Sequence, residues 1–294
     1  MVIKFLKPLM DANAGFLKYE IDDLMFDGTI LDETKRDFIE KKYGDISKNS
    51  IPFFNRGRAA FEGKQVQSNI RTMLNAADFV TVTTDYLKEV YHDVYGVPLE
   101  NIIAVPNLLP KYLFGDRYEP SKKVKQFEKA KPKRKLRIGI VSSLSHFNID
   151  NVRRDKDGKA VREQKQSDGS SKWINSDKVE VKFEDTSKIT DDFDEIADVV
   201  RQTVNDFQWV FFGYCPPQIK DLADAKKVEV HGGLPIMNYS SMLENLQLQA
   251  IVAPIAKTTF NFCKSFIKTM EAAAIGVPLF ATNCLPYSRV MPRE

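Results

Sequence analysis

Cysteine is scarce in this 294-residue chain. Cys215, Cys263 and Cys284 lie far apart and form no Cys-x-x-Cys pair. That excludes a disulfide scaffold and a cysteine zinc knuckle, and fits a reducing compartment. Histidine is equally sparse, and His92, His146 and His231 share no ligand spacing, so no metal site is expected. No stretch of 18 apolar residues occurs, which excludes a membrane-spanning helix. Neither sign of charge dominates: 43 basic residues face 40 acidic ones, a net +3, too little for a strong global field. Met1–Lys7 is too short and too interrupted to act as a secretory signal. Together these features predict a cytoplasmic chain.

What is present is an alternation of short apolar runs and amphipathic stretches. Phe16–Ile21, Phe79–Thr83 and Ile102–Val105 predict strands in the first half. A charged helix is expected over Asp32–Tyr43 and a loop over Asn49–Gly57. Val66, Ile70, Met73, Leu74 and Ala77 recur at helical spacing. A further helix is expected to be capped by Thr84 or Asp85, to bury Leu87, Val90, Tyr91 and Val94, and to stop at Gly96. The second half restarts with a strand at Leu136–Val141. Strands follow at Gln208–Phe212, Val228–His231, Ala250–Ile255 and Val277–Ala281, with helices around Phe193–Val204, Tyr239–Leu246 and Cys263–Ile275. Helical crossovers of this length imply parallel strand pairing. No internal repeat of 20–50 residues is present.

Two segments stand apart. Arg117–Arg137 carries ten basic residues against Glu119 and Glu128, with Pro120 and Pro132. It reads as a solvated linker, with a phosphate or nucleic-acid contact as the alternative. Asp150–Lys178 is highly charged, with turn signals at Asp157-Gly158 and Asp168-Gly169, and reads as an insertion, either a hairpin or a mobile segment. The expected organisation is a domain over 1–118, a basic linker over 119–134, and a domain over 135–294 interrupted by the 150–178 insertion.

Open α/β sheets bind ligands beyond the carboxyl ends of their strands. The polar residues there are Asp22, Asp23, Thr83, Thr84 and Asn107 in the first half. In the second half they are Ser142, Ser143, Ser145, His146, Gly213, Gly232, Gly233 and the segment after Ile255. The densest set is Phe260 to Glu271. It follows a strand and opens the expected Cys263–Ile275 helix, so Lys264 lies in the first turn, where it opposes the helix dipole unless an anion binds. Lys264, Lys268 and Glu271 then share one face. Two ammonium groups could grip a diphosphate while the carboxylate takes ribose hydroxyls. The competing reading is a plain surface helix with a Lys–Glu pair.

Several stretches resemble one family. Val252-Ala253-Pro254-Ile255, Phe260-Asn261-Phe262-Cys263-Lys264-Ser265, Lys268, Glu271 and Gly276-Val277-Pro278 are similar to the retaining "glycosyl transferases group 1" with the two-domain GT-B fold. In the same order, Ala77–Thr84 resembles that family's "ADxVTVxT" strand and Asn101–Asn107 its "IxVxPN" strand. Ile138-Gly139 with Ser142–His146 resembles its first C-domain strand and donor loop. The chain departs from the usual Glu-x7-Glu helix by placing Cys263 where the first Glu belongs, in an Asn-x-Cys-Lys-Ser variant. Relative to the family it lacks one or two strands and a glycine-rich loop before Tyr19 and a helix after Pro286-Tyr287, and reads as a shortened member or a fragment of one.

The resemblance implies an α/β fold of two Rossmann-like parallel-sheet domains facing a cleft. It also implies a metal-independent enzyme without a cofactor that moves a sugar from a nucleoside-diphosphate sugar, a UDP-sugar being expected, to an acceptor hydroxyl. Donor contacts fall to Ser143, His146, Gly213, His231, Asn261, Lys264, Ser265, Lys268 and Glu271. Lys264 also stabilises leaving-group charge. Asp22 or Asp23 would act as base toward the acceptor, with Thr83, Thr84 and Asn107 on the acceptor side. Read from the residues alone, Asp22-Asp23 is equally a turn pair, His146 a loop residue and His231 a strand-end residue. His92 reads as a surface residue, and Tyr239 and Phe262 as core aromatics. The acceptor is a saccharide, lipid-linked glycan or protein, or a modified base in duplex DNA as in bacteriophage-type members, which would place the chain in the host cytoplasm. The alternative is a non-catalytic nucleotide- or carbohydrate-binding protein on the same fold.

Overall fold

The computed structural model describes residues 8, 16–21, 33–43, 68–115, 135–143, 146–147, 153–157, 159–175, 177–188 and 191–290. Asp22, Asp23, Ser145, the 49–57 loop and the 119–134 linker lie outside them. The chain opens with β1 (Lys18–Glu20), α1 (Glu33–Tyr43), α2 (68–76), β2 (Phe79–Val82), α3 (Asp85–Tyr95), β3 (Ile102–Ala104) and α4 (Lys111–Phe114). It continues through β4 (Arg137–Ser142), β5 (Arg153–Arg154), β6 (Ala160–Lys165), β7 (Ser171–Asn175), β8 (Glu180–Val181) and β9 (Ser187–Lys188). Next come α5 (Ala197–Thr203), β10 (Gln208–Gly213), α6 (Lys220–Asp224), β11 (Glu229–Gly232) and α7 (Ile236–Asn245). The last elements are β12 (Ala250–Ala253), α8 (Thr259–Cys263), α9 (Ile267–Ala274) and β13 (Leu279–Ala281). Two compact units result, neither continuous in sequence. The first comprises Met1–Asn107, Asp150–Ile189 and Lys257–Ser265; the second comprises Leu108–Ile149, Thr190–Ala256 and Phe266–Glu294.

The first unit holds a parallel sheet in the order β1-β2-β3. β1 and β2 begin at a reciprocal clamp: Asp78 N–H donates to Leu17 C=O at 2.8 Å and Leu17 N–H to Asp78 Oδ2 at 2.7 Å. Helix α3 follows the sequence expectation. The Thr84 hydroxyl accepts from Leu87 N–H, Leu87, Val90, Tyr91 and Val94 are buried, and Gly96 ends the helix at φ 74°. Only glycine holds that left-handed geometry without strain. The charged insertion is neither a lone hairpin nor confined to 150–178. It forms a five-stranded antiparallel sheet, β8-β7-β6-β5-β9, running on to Lys188. Its tight β6–β7 turn does fall at the expected place, with Gly169 at φ 84°.

The second unit is a five-stranded, wholly parallel sheet in the order β11-β10-β4-β12-β13. The chain therefore starts in the middle, winds outward to one edge, then returns to the other side of β4. That is the Rossmann-like winding, with its topological switch between β4 and β12. Residues alternate between the two covered faces, as a parallel sheet requires. Ile140, Trp209 and Phe211 pack with Phe193, Val200 and Ile219 on one side. Val141, Val210 and Phe212 pack with Leu243, Leu246 and Ala272 on the other. Burying each such side chain contributes roughly 1.5–3 kcal/mol.

One expected element divides. In place of a single helix over Cys263–Ile275, α8 ends at Cys263, Lys264 is extended at φ −64° and ψ 157°, and α9 begins at Ile267. Three long-range bonds account for the early start and stop. Thr259 Oγ1 donates to Tyr43 C=O at 2.8 Å, Thr84 Oγ1 donates to the terminal carbonyl of Cys263 at 3.0 Å, and Asn107 Nδ2 donates to Ser265 Oγ at 3.1 Å. The helix-end carbonyl thus finds a side-chain partner in place of a further turn. The helix also starts sooner than expected because Thr258 caps it, accepting from Asn261 N–H.

Gly213 tests the register of the second unit. It sits at φ 105°, and a Cβ there would lie 2.3 Å from Ser142 O, an immovable backbone atom. Gly213→Ala should lower unfolding free energy by about 3 kcal/mol in denaturant titration. Gly139→Ala should cost less, because the added carbon meets the movable tip of Leu248.

Candidate functional site

The carboxyl ends of β4 and β12 flank the switch of the second unit, the place where open α/β sheets hold ligands. β4 delivers Ser142 and Ser143 there. Ser142 Oγ is buried and has no hydrogen-bond partner among the described residues. His146 N–H donates to Ser143 C=O at 3.3 Å. The His146 ring is bound at Nδ1 by Asp192 Oδ2, 2.6 Å away, and the second carboxylate oxygen accepts from Ala256 N–H at 2.8 Å. Asp192 N–H returns a bond to His146 C=O at 3.1 Å. One carboxylate thereby joins the loop after β4 to the segment after β12.

On the other face, α7 and α9 bring a second polar cluster to Phe212, the penultimate residue of β10. The Tyr239 ring stacks on Phe212 at a centroid distance of 5.4 Å. Its hydroxyl donates to Glu271 Oε2 at 3.0 Å, and Lys268 Nζ donates to the same oxygen at 2.8 Å. Burial, followed by the Glu271 charge, drives the Tyr239 phenol well above its ordinary range, so it remains a donor. Tyr287 connects the two clusters electrostatically. Burial raises its phenol first, and both Asp192 and Glu271 raise it further.

Lys268 and Glu271 therefore meet as the helical spacing predicted. Lys264 does not share their face, because the helix that would carry all three is interrupted. Lys264 closes α8 with its ammonium 4.6 Å from the Phe260 ring centroid and its own N–H bonded to Asn261 C=O. Residue 264 therefore closes one helix, and the next entrance lies at Ile267, where no side chain caps it. Asn261 is 3% exposed, inside α8. Cys263, at the place of the family's first Glu, is wholly buried in the core of the first unit. Ser265 and Asn107 bind each other, and the Thr84 hydroxyl both caps α3 and holds Cys263. Thr83 is buried at the end of β2. These residues, expected to touch donor or acceptor, are built into the packing of the first unit.

Gly213 serves the close approach of β10 to β4. His231 is engaged within β11: its Nε2 lies 2.6 Å from Glu229 Oε1, while Arg137 grips both Glu229 oxygens at 2.9 Å. Sequence reasoning missed Asp192, Tyr239's hydroxyl role and Tyr287. Asp192 lies 46 residues from His146, and the Asp191-Asp192 pair reads locally as a helix-start signal, so no local pattern marks it.

No protein-family model matches the sequence, and no curated protein matches it. Among solved structures, the wall teichoic acid polymerase TagF is distantly similar, at a TM-score of 0.30 and 10% identity. The similarity covers 78% of this chain and 45% of that one, so the chain spans less than half the length of that polymerase. The described chain is mixed α/β with Rossmann-like parallel strands, and no described helix is long and apolar enough to cross a membrane.

Two measurements test these networks. Hydrogen bonds from Arg137 hold the Glu229 carboxyl below its usual range, against the opposing effect of burial. A depressed carboxylate contributes stability above its unfolded pKa of about 4.3 and loses it as pH falls through the lower folded value. Urea midpoints should therefore drop more steeply from pH 5 to pH 3 in the wild type than in Glu229→Gln. Separately, Tyr239→Phe should cost about 1 kcal/mol in the same assay, since Glu271 keeps Lys268 but loses its hydroxyl donor.

Proposed function

We propose that the chain is a glycosyltransferase whose second unit holds a nucleoside-diphosphate sugar at the switch between β4 and β12. The observation that carries this reading is the Asp192 carboxylate that holds both the His146 ring and Ala256 N–H beyond the ends of β4 and β12, on a sheet wound in Rossmann-like order, with the Tyr239–Lys268–Glu271 cluster on the other face at the end of β10. Ser143 and His146 are assigned to the diphosphate. Lys268 supplies fixed positive charge for the leaving group, in the manner of metal-independent transfer, and Glu271 accepts from ribose hydroxyls. Lys264 is not retained in this role. The two-domain GT-B organisation, the acceptor role of the first unit, and Asp22 or Asp23 as base belong to the same proposal. So do retention of anomeric configuration and a UDP-sugar as donor.

A second reading has its own observation. The residue standing for the family's first Glu is a buried cysteine, Cys263, which favours a nucleotide- or carbohydrate-binding protein without transfer. Release or transfer of sugar from a UDP-sugar above background decides for the enzyme.

The test of the donor site is thermal unfolding with a panel of nucleoside diphosphates. A ligand at 100 times its dissociation constant adds about 2.7 kcal/mol to stability, so at least one member should raise Tm by several degrees. A panel with no stabilising member overturns the reading. Lys268→Met should weaken the best ligand by about 1–3 kcal/mol, as expected for a lost charge-assisted bond.

A further inference from the structure

Resting on the donor reading above, we propose that Asp192 is a positioning residue that sets the His146 imidazole against the donor's diphosphate. The ring contacts a phosphoryl oxygen through Nε2 while Nδ1 stays committed to the carboxylate.

The turn that leads into α5 is already held by its neighbours. Asp191 Oδ1 accepts from Phe193 N–H at 2.9 Å, Asp194 Oδ2 accepts from Asp191 N–H at 3.1 Å, and the Gln218 amide donates to both side chains. Asp192 makes none of these bonds. Its oxygens go to Ala256 N–H and to the His146 ring, which are the two sides of the switch. Burial differs across the pair: the Asp192 side chain is 7% exposed and the His146 side chain 21%. The carboxylate is thus the more buried end of the pair and the imidazole the more exposed.

Such a pairing fixes both ring orientation and proton placement. With Nδ1–H donating to Asp192, a neutral ring carries its lone pair on Nε2, and a charged ring donates from both nitrogens. Carboxylate, imidazolium and phosphoryl oxygen then alternate in sign along one line, an arrangement that favours an anion without a metal. The Nδ1 bond to Asp192 opposes rotation of the ring, and Asp192 N–H holds the His146 backbone through its carbonyl. Preorganisation of this kind removes the cost of ordering the side chain on binding.

The test uses UDP, inorganic pyrophosphate and uridine as probes of the full chain, by titration calorimetry, with the wild type, Asp192→Asn, His146→Gln and the double variant. In Asp192→Asn the amide can still accept from Ala256 N–H, but its NH2 group faces Nδ1 and shifts the ring proton to Nε2. Nitrogen-15 NMR of the His146 ring reports that shift directly. The expected result in the UDP complex is a ring protonated on both nitrogens in the wild type, donating from Nε2 with full charge, and a neutral Nε2–H ring in Asp192→Asn, whose loss of charge weakens the contact. UDP and pyrophosphate should bind about tenfold more weakly in either single variant, no more weakly in the double variant, and uridine equally in all. Equal UDP binding by wild type and variants would overturn the positioning role while leaving the donor reading in place. Loss of uridine binding along with UDP would reassign Asp192 to fold maintenance and also overturn it. A wild type that binds neither UDP nor pyrophosphate would remove both proposals.

Discussion

The second unit depends on the pairing of β4 with strands on both sides. β10 pairs along the whole length of β4, from Gln208 opposite Arg137 to Gly213 opposite Ser142, whereas β12 pairs at Ala250 and Ile251 only. The long pairing fixes register and so decides which residues of β4 face each layer. Ile140 enters the layer of Phe193 and Phe211, and Val141 enters that of Phe212 and Leu243. A slip of one residue would exchange these faces. Glycine at 213 allows the close approach where the pairing ends. The shorter pairing with β12 leaves the carboxyl ends of the two central strands joined through side chains rather than through the ladder, and Asp192 is the side chain that joins them.

Two kinds of polar network serve this unit at opposite ends. Arg137, Glu229 and His231 form a chain of charge and hydrogen bonds over β10, beginning at the amino end of β4 and using every member on another member. That is a structural use of ionisable groups, partly open to solvent and hence of modest energetic value. At the carboxyl ends, by contrast, buried carboxylates sit behind more exposed partners: Asp192 behind His146, and Glu271 behind Lys268. Leaving either carboxylate without its partner would be costly at that depth. The arrangement therefore keeps an imidazole and an ammonium in place at the carboxyl end of the sheet.

The first unit shows how short segments distant in sequence can complete a core. Residues 257–265 bring Phe260 and Cys263 into the cluster built by Leu87, Val90, Tyr91 and Val94. Thr84, Asn107 and the Tyr43 carbonyl then secure the segment by hydrogen bonds. Residues that looked like ligand contacts because they follow strands were instead consumed by this packing. A polar residue beyond a strand end satisfies two rules at once, since it can cap and tie the fold or it can bind a ligand; burial and partners distinguish the two.

The alternation of strands and helices, the Thr84 cap, the Gly96 stop and the buried face of α3 were all legible in the sequence, because each arises from neighbours three or four residues apart. Parallel pairing was legible as well, through the length of the crossovers. The order of the strands was not, nor was the interruption of the helix after Cys263. Of the antiparallel sheet built from the charged 153–188 segment only the β6–β7 turn was legible, at Asp168-Gly169, since its strands carry few alternating apolar residues to announce them. The approach of Asp192 to His146 was beyond local reading too. Each of these depends on hydrogen bonds and packing between residues tens to hundreds of positions apart, and only the folded chain brings those atoms within reach.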